Sequence, residues 1–373
     1  MKRKVFALLM AAVLVFAMTA CSGGGDATTA AAEGTQAAGD ETATTAAGAE
    51  ETEASGGETT GTIKVGMVTD VGGINDQSFN QSSWEGLQRA QDELGVEVTY
   101  LESHQDSDYA TNIQTLIDDE CDLIICVGYM LADAVNQAAQ DNPDQLFAII
   151  DDQTYSDLPN LACLMFEQEQ ASYLVGIVAA MMTETNTVGF VIGQSTGPMN
   201  EFGYGYVDGV LSTNPDATVL QYDANSFGDA GLGKTAAKDM ATNGADVIYH
   251  AAGGTGAGVI EACQEDGIWA IGVDSDQNHL APETVVTSAM KRVDNASYDI
   301  TKAVLEGTYT PGVHTYSLED GGVDIAPTTD LLPDDVLAAV EEAKQAIISG
   351  EIVVPATQED FEAKYGPDVY QLD

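Results

Sequence analysis

The chain carries 60 acidic and 12 basic side chains in 373 residues, a formal net charge of −48. A surface of that sign repels nucleic acid and anionic lipid alike, so neither is an expected partner. The histidines, at 104, 250, 279 and 314, are too scattered for a metal motif, no CxxC pair occurs, and no cofactor is expected.

Residues 1–21, MKRKVFALLMAAVLVFAMTAC, open with three cations and continue as an apolar run. The run is too short to span a membrane and no stop-transfer pattern follows, so it reads as an export signal. The MTAC ending resembles a bacterial lipobox, which makes Cys21 the expected lipidation site and the mature N-terminus. Residues 22–61 are almost wholly Gly, Ala, Ser, Thr, Asp and Glu. With no large apolar side chain to offset the entropy of ordering, this stretch is expected to be a flexible acidic tether.

Residues 62–373 exceed the usual size of a single core, so two lobes are expected. Ten strand-like runs follow in order: IKVGMVTD, VEVTYLES, DLIICVG, LFAIID, LACLMF, TVGFVIG, TVLQYD, DVIYHAAG, WAIGVD and TVVTSAM. Between them lie helical stretches such as SSWEGLQRAQDEL, ADAVNQAAQ, EQASYLVGIVAAMM, GKTAAKDMATNG and GVIEACQED. That alternation predicts parallel sheets with helices on both faces. Ligands of such sheets bind beyond the carboxyl ends of the strands. Those ends are rich in aspartate and glycine, and lysine is absent from them. Cys121, Cys126, Cys163 and Cys263 lie inside apolar runs and read as small core residues.

The stretch TDVGGINDQSFN, residues 69–80, joins the first strand to the first helix. Ser78 with Gln81 three residues on fits a capping box, which starts the helix at Phe79. One account makes Asp70 a turn former and Phe79 a staple or core residue, and composition alone favours it. The other puts a carboxylate, a flat aromatic and the Asn80 amide at the mouth of one site. GVDSDQ repeats the device with Asp274 at another strand end, where a carboxylate suits a ligand with adjacent hydroxyls.

Two other patterns point elsewhere. AGGTGAGVIEA, with Asp274 roughly 20 residues on, resembles a dinucleotide fingerprint, but the pattern breaks at Val259 and lies late in the chain. GQSTG has the spacing of a nucleophile elbow around Ser195, with His314 available downstream. An elbow should lead directly into a helix, whereas Pro198 and Asn200 intervene, and no oxyanion-hole motif is present.

DVGGINDQSFNQSSWEGL, GADVIYHAAGGTGAGVIEA, AIGVDSDQ and VVTSAMKRVD, in that order and spacing, resemble the basic membrane lipoprotein family. These are substrate-binding lipoproteins of ATP-driven importers, similar to purine nucleoside receptor lipoproteins. The resemblance runs from about residue 63 to the end. It implies the type I periplasmic-binding-protein fold, an α/β architecture of two doubly wound lobes joined by a three-strand hinge. Lobe one is then expected over about 62–167 plus 280–320, and lobe two over about 168–279 plus 321–373.

Residue by residue, the family pattern assigns ligand contacts to Asp70, Phe79 and Asn80 of the first loop. It assigns the base-edge acid to Asp151, with Asp152 the neighbouring alternative, and the second stacking aromatic to Phe227. Gly253, Gly254, Asp274 and Lys291 complete the set. The implied function is capture of a nucleoside, with a purine expected, and delivery to an ABC transporter permease by a monomeric, lipid-anchored protein outside the cell membrane. No chemistry is implied. A sugar or furanone ligand, or an exported serine hydrolase using Ser195, are the alternative functions.

Overall fold

The computed structural model describes residues 62–372; the export signal, Cys21 and the tether lie outside them. The first lobe begins as β1 (Lys64–Val68), α1 (Phe79–Leu94), β2 (Glu97–Leu101), α2 (Tyr109–Asp118), β3 (Leu123–Val127), α3 (Ala132–Asp141), β4 (Leu146–Ile150) and β5 (Leu161–Phe166). After α4 (Gln168–Met182) the scheme repeats as β6 (Thr187–Ile192), α5 (Gly197–Thr213), β7 (Thr218–Asp223), α6 (Ala230–Thr242), β8 (Val247–Ala251), α7 (Gly253–Asp266), β9 (Trp269–Asp274) and β10 (Val285–Lys291). The chain ends with α8 (Val293–Leu305), β11 (Gly312–Tyr316), β12 (Val323–Ile325), α9 (Asp334–Ile348) and α10 (Gln358–Tyr365).

The strands form two six-stranded sheets, ordered β2-β1-β3-β4-β5-β11 and β7-β6-β8-β9-β10-β12. All pairings are parallel except β10 with β12. Central strands such as LIICV in β3 and VIYHA in β8 are buried at every position. Continuous apolar runs are what a strand needs when helices cover both faces. The fold class is therefore two doubly wound α/β lobes. In both sheets the strand order reverses between the first and third strands, which is where this topology opens a crevice.

The chain passes between the sheets three times: from β5 to α4, from β10 to α8, and from β11 to β12. One boundary differs from expectation. β10, expected with lobe one, pairs with β9 in the second sheet, Ala289 opposite Val273. A short turn at Gln277–Leu280 brings the chain straight back to the same sheet, and the return to the first lobe begins with α8, which packs on α1, and continues with β11, which pairs with β5. β10 also runs one residue further than its apolar pattern, so a strand end carries a lysine after all, Lys291.

Elements that the alternation alone does not flag include α5, whose sequence GPMNEFGYGYVDGVLST contains four glycines. Glycine disfavours helix in isolation, but here it lets α5 lie against α4: a Cβ on Gly205 would stand 2.1 Å from the Glu169 carbonyl oxygen. The four cysteines among the described residues are free thiols, all buried.

Candidate functional site

The carboxyl ends of the two sheets face one another across a cavity. Its wall contains Asp70, Phe79, Asn80 and Asp151 from the first lobe and Phe227, Gly253, Asp274 and Lys291 from the second. Eight of the nine expected contact residues are thus brought together. Gly254 is outside the wall, where a Cβ would meet the Phe227 carbonyl oxygen at 3.3 Å. Its neighbours are the backbone of Phe227 and Gly228 and that of Asp76 from the first lobe.

The loop from Asp70 to Phe79 is organised by a residue that the sequence pattern does not single out. Asp76 is buried, and its Oδ1 accepts from the backbone N–H groups of Ser78 at 3.0 Å and Gln81 at 3.1 Å. Its Oδ2 accepts from Asn80 N at 2.8 Å and Asn80 Nδ2 at 3.1 Å. The helix starts at Phe79 as expected, but the capping box is not formed. Asp76 does the capping, and its negative charge suits a helix N-terminus. Ser78 instead donates its hydroxyl across the cleft to Asp274 Oδ2, while Gln81 bonds Gln77 and Glu85.

Asn80 is fixed by the same arrangement. Its Nδ2 also donates to Asp70 Oδ1 at 2.8 Å, so both amide hydrogens are used and its Oδ1 is left as a buried acceptor without a protein partner. Asp70 Oδ1 accepts from Gly72 N as well, at 2.8 Å. Burial pushes the Asp70 carboxyl up to about 6, against the pull of these donors.

Asp151 follows β4 and Asp274 ends β9, and both adopt left-handed backbone conformations, φ +65° and +63°. Such values are uncommon outside glycine, and they cluster where a side chain must be aimed. Asp151 Oδ2 pairs with Lys291 Nζ at 2.5 Å, whereas its Oδ1 is buried without a protein partner. Asp152 turns away to Thr154, which settles which of the two adjacent acids faces the cavity. Burial pushes Asp274 up to about 7, with Lys291 and Ser78 acting in the opposite direction.

Lys291 is 2 % exposed. Its ammonium lies 5.2 Å from the Phe79 ring centroid, 5.1 Å from that of Phe166 and 5.3 Å from that of Phe202. Three ring faces and one carboxylate stabilise a cation that water no longer reaches. On the second-lobe side of the cavity, the Phe227 ring packs against the end of β6, where a Cβ on Gly193 would lie 2.3 Å from it. Tyr129, Met199, Phe202 and Val273 also line the cavity. Tyr129 directly follows the VG end of the third strand run, a signal that could have flagged it. Met199 and Phe202 lie on α5, whose glycines hide the helix.

The two rival motifs are used otherwise. GQSTG does lead directly into a helix, because Thr196 is the N-cap and Pro198 occupies the first turn, a position that proline favours. Ser195 Oγ, however, bonds Asn200 Oδ1 and the Leu372 carbonyl, and His314 sits on β11 of the other lobe, bonded to Thr310. The glycines of AGGTG open α7 beside Phe227.

Residues 63–358 match the family model described as ABC transporter substrate-binding protein PnrA-like. The chain belongs to this Bmp family. Among Bmp-family relatives, the "CD4+ T-cell-stimulating antigen" of Listeria innocua is 40% identical over 313 residues, covering 78% of this chain and 87% of that protein. The "ABC transporter nucleoside-binding protein BmpA" of Lactococcus lactis is 37% identical over 317 residues, covering 79% and 89%. A solved ABC transporter solute-binding protein from Aeropyrum pernix is similar in fold, with TM-score 0.75 and 30% identity over 82% of this chain and 98% of that one. As a Bmp-family substrate-binding protein, the chain binds a small molecule outside the cytoplasm for an ABC transporter. Among the described residues no helix is long and apolar enough to cross a membrane.

Proposed function

We propose that the ligand is a nucleoside, a purine one by preference, closed between the lobes and passed to an ABC importer. The observation that carries this reading is the composition of the cavity wall: an aromatic from each lobe, Phe79 and Phe227, together with buried carboxylates and a single lysine. A planar base fits between two rings, each contributing about 1–3 kcal/mol by stacking. The orphaned polar atoms Asn80 Oδ1 and Asp151 Oδ1 are both acceptors, so the ligand must bring N–H or O–H donors. A base edge with ring or exocyclic N–H groups supplies them at Asp151. Ribose hydroxyls supply them to Asp70 and Asp274, with Lys291 donating in return. A 5′-phosphate would face Asp70, Asp76 and Asp274, so nucleotides should be rejected. The nucleoside-binding relative in Lactococcus lactis supports the same reading.

Calorimetric titration with adenosine, guanosine, inosine, uridine, ribose and guanosine monophosphate tests it. Purine nucleosides should bind tightest, and the monophosphate and free ribose should bind weakly or not at all. Tighter binding of ribose or another sugar than of any nucleoside would replace the base in this reading.

A further inference from the structure

The loop that carries Phe79 is held from the opposite lobe by a side chain that does not touch the cavity. Gln277, in the turn between β9 and β10, is 1 % exposed. Its Oε1 accepts from the backbone N–H of Val273 at 3.0 Å. A backbone nitrogen can only donate, so this bond fixes which end of the amide is oxygen. Nε2 must then point away, and it donates to the carbonyl of Gln77 in the first lobe at 2.9 Å. Ser275 Oγ approaches the same carbonyl at 3.4 Å.

Two further contacts hold that residue in place. Gln277 N donates to Ser288 Oγ at 3.1 Å. His250 Nε2 lies 3.0 Å from Gln277 Oε1 and is completely buried. Since Oε1 is an acceptor, His250 donates from Nε2, and burial lowers its pKa to about 4, keeping the ring neutral. On the receiving side, Gln77 is a non-glycine residue at φ +57°, a conformation that turns its carbonyl toward the second lobe. Ser78, which bonds Asp274, and Phe79 follow it immediately.

We propose that Gln277 is the latch of the closed cleft, a positioning residue that clamps the Gln77–Phe79 segment once the lobes meet and slows escape of the ligand. Val273, Ser288 and His250 belong to its own lobe, so the amide is aimed before closure. The bond to Gln77 joins the lobes and exists only while they are together. Closure therefore gains a bond at little entropic cost, because the donor is already fixed. The latch rests on the reading of the site as one that traps its ligand between two lobes.

Gln277→Glu keeps an acceptor for Val273 and His250 but sets a carboxylate oxygen against the Gln77 carbonyl. The parent is first tested against guanosine, inosine, adenosine, ribose, arabinose and galactose, which decides the nucleoside reading by itself. Stopped-flow dissociation of whichever of these the parent retains then decides the latch. The expected result is a dissociation rate raised about tenfold to a hundredfold, with association changed less than threefold. Equal dissociation rates in parent and variant would overturn the proposal. A second measurement needs no substitution: in the parent, solvent exchange of the Gln277 side-chain amide protons should slow at least tenfold when ligand is added. Unchanged exchange would overturn the latch even if the variant fails to fold.

Discussion

Asp274 is held between two opposing demands. Burial favours its neutral acid, whereas a ligand that donates hydroxyl hydrogens favours the carboxylate. Its pKa is raised to about 7 from the ordinary 3.8, so between those values the folded chain holds a proton that the unfolded chain has lost. Stability from this group is therefore greatest at low pH and falls as pH rises toward 7. Asp274→Asn should raise the ligand-free melting temperature at pH 8 and change it little at pH 4. Nucleoside binding should release protons at pH 6–7, seen as a binding heat that scales with the ionisation enthalpy of the buffer. A heat independent of buffer would mean that Asp274 keeps its proton and does not accept the hydroxyls. Phe79 poses a different question at the same scale. Truncating a core aromatic costs roughly 3–5 kcal/mol, but Phe79 is only half-buried at the cavity. Phe79→Ala should lower the ligand-free melting temperature modestly and abolish most of the rise that nucleoside produces, while Phe79→Tyr keeps part of it.

The contrast between α1 and α5 shows what can be read from local sequence. The first helix, its start at Phe79 and the flanking Asp70 and Asn80 are legible, because turn residues and an amphipathic run adjoin there. The cap is not: Ser78 and Asp76 are both ordinary turn residues, and only tertiary structure decides that Ser78 reaches Asp274 while Asp76 caps. The ten strands are legible from their runs of β-branched and apolar residues, the central ones buried throughout and the edge strands β2 and β7 still alternating such residues with exposed positions. β11 and β12 are not, since one is an edge strand with alternate positions exposed and the other has three residues. α5 fails the local test altogether, and with it Met199 and Phe202 drop out of the expected site. Gly205→Ala gives that point a measurable form. Helix propensity alone favours alanine by about 1 kcal/mol, but the added methyl must push α5 off the Glu169 carbonyl, and overpacking of this kind costs typically 1–3 kcal/mol. The substitution should therefore destabilise the protein, lowering the melting temperature by a few degrees, and loosen the cavity wall that α5 provides. A rise in melting temperature would show that α4 and α5 can part at no cost.

At the scale of the whole molecule, we propose that Cys21 is the point at which the chain is anchored to the membrane. Cys21→Ser should abolish incorporation of labelled palmitate and release the protein into the medium or leave it as precursor; continued labelling would rule out Cys21 as the anchor point. The body itself applies one construction twice. Each sheet's fourth strand delivers an aspartate in the same left-handed conformation, Asp151 from one and Asp274 from the other. Two like acids facing each other across a cleft would leave the ligand's head and tail interchangeable. The lysine removes that ambiguity, because β10 supplies Lys291 to the second lobe and its partner is Asp151. The Lys291–Asp151 pair then bridges the two lobes, whereas Asp274 has no cation bonded to it and stays poised near its protonation point. We propose that a ligand needing an anion at one end and a donor–acceptor pair at the other is received in one orientation, a polar axis that a single side chain, Lys291, gives to a pseudo-symmetric fold.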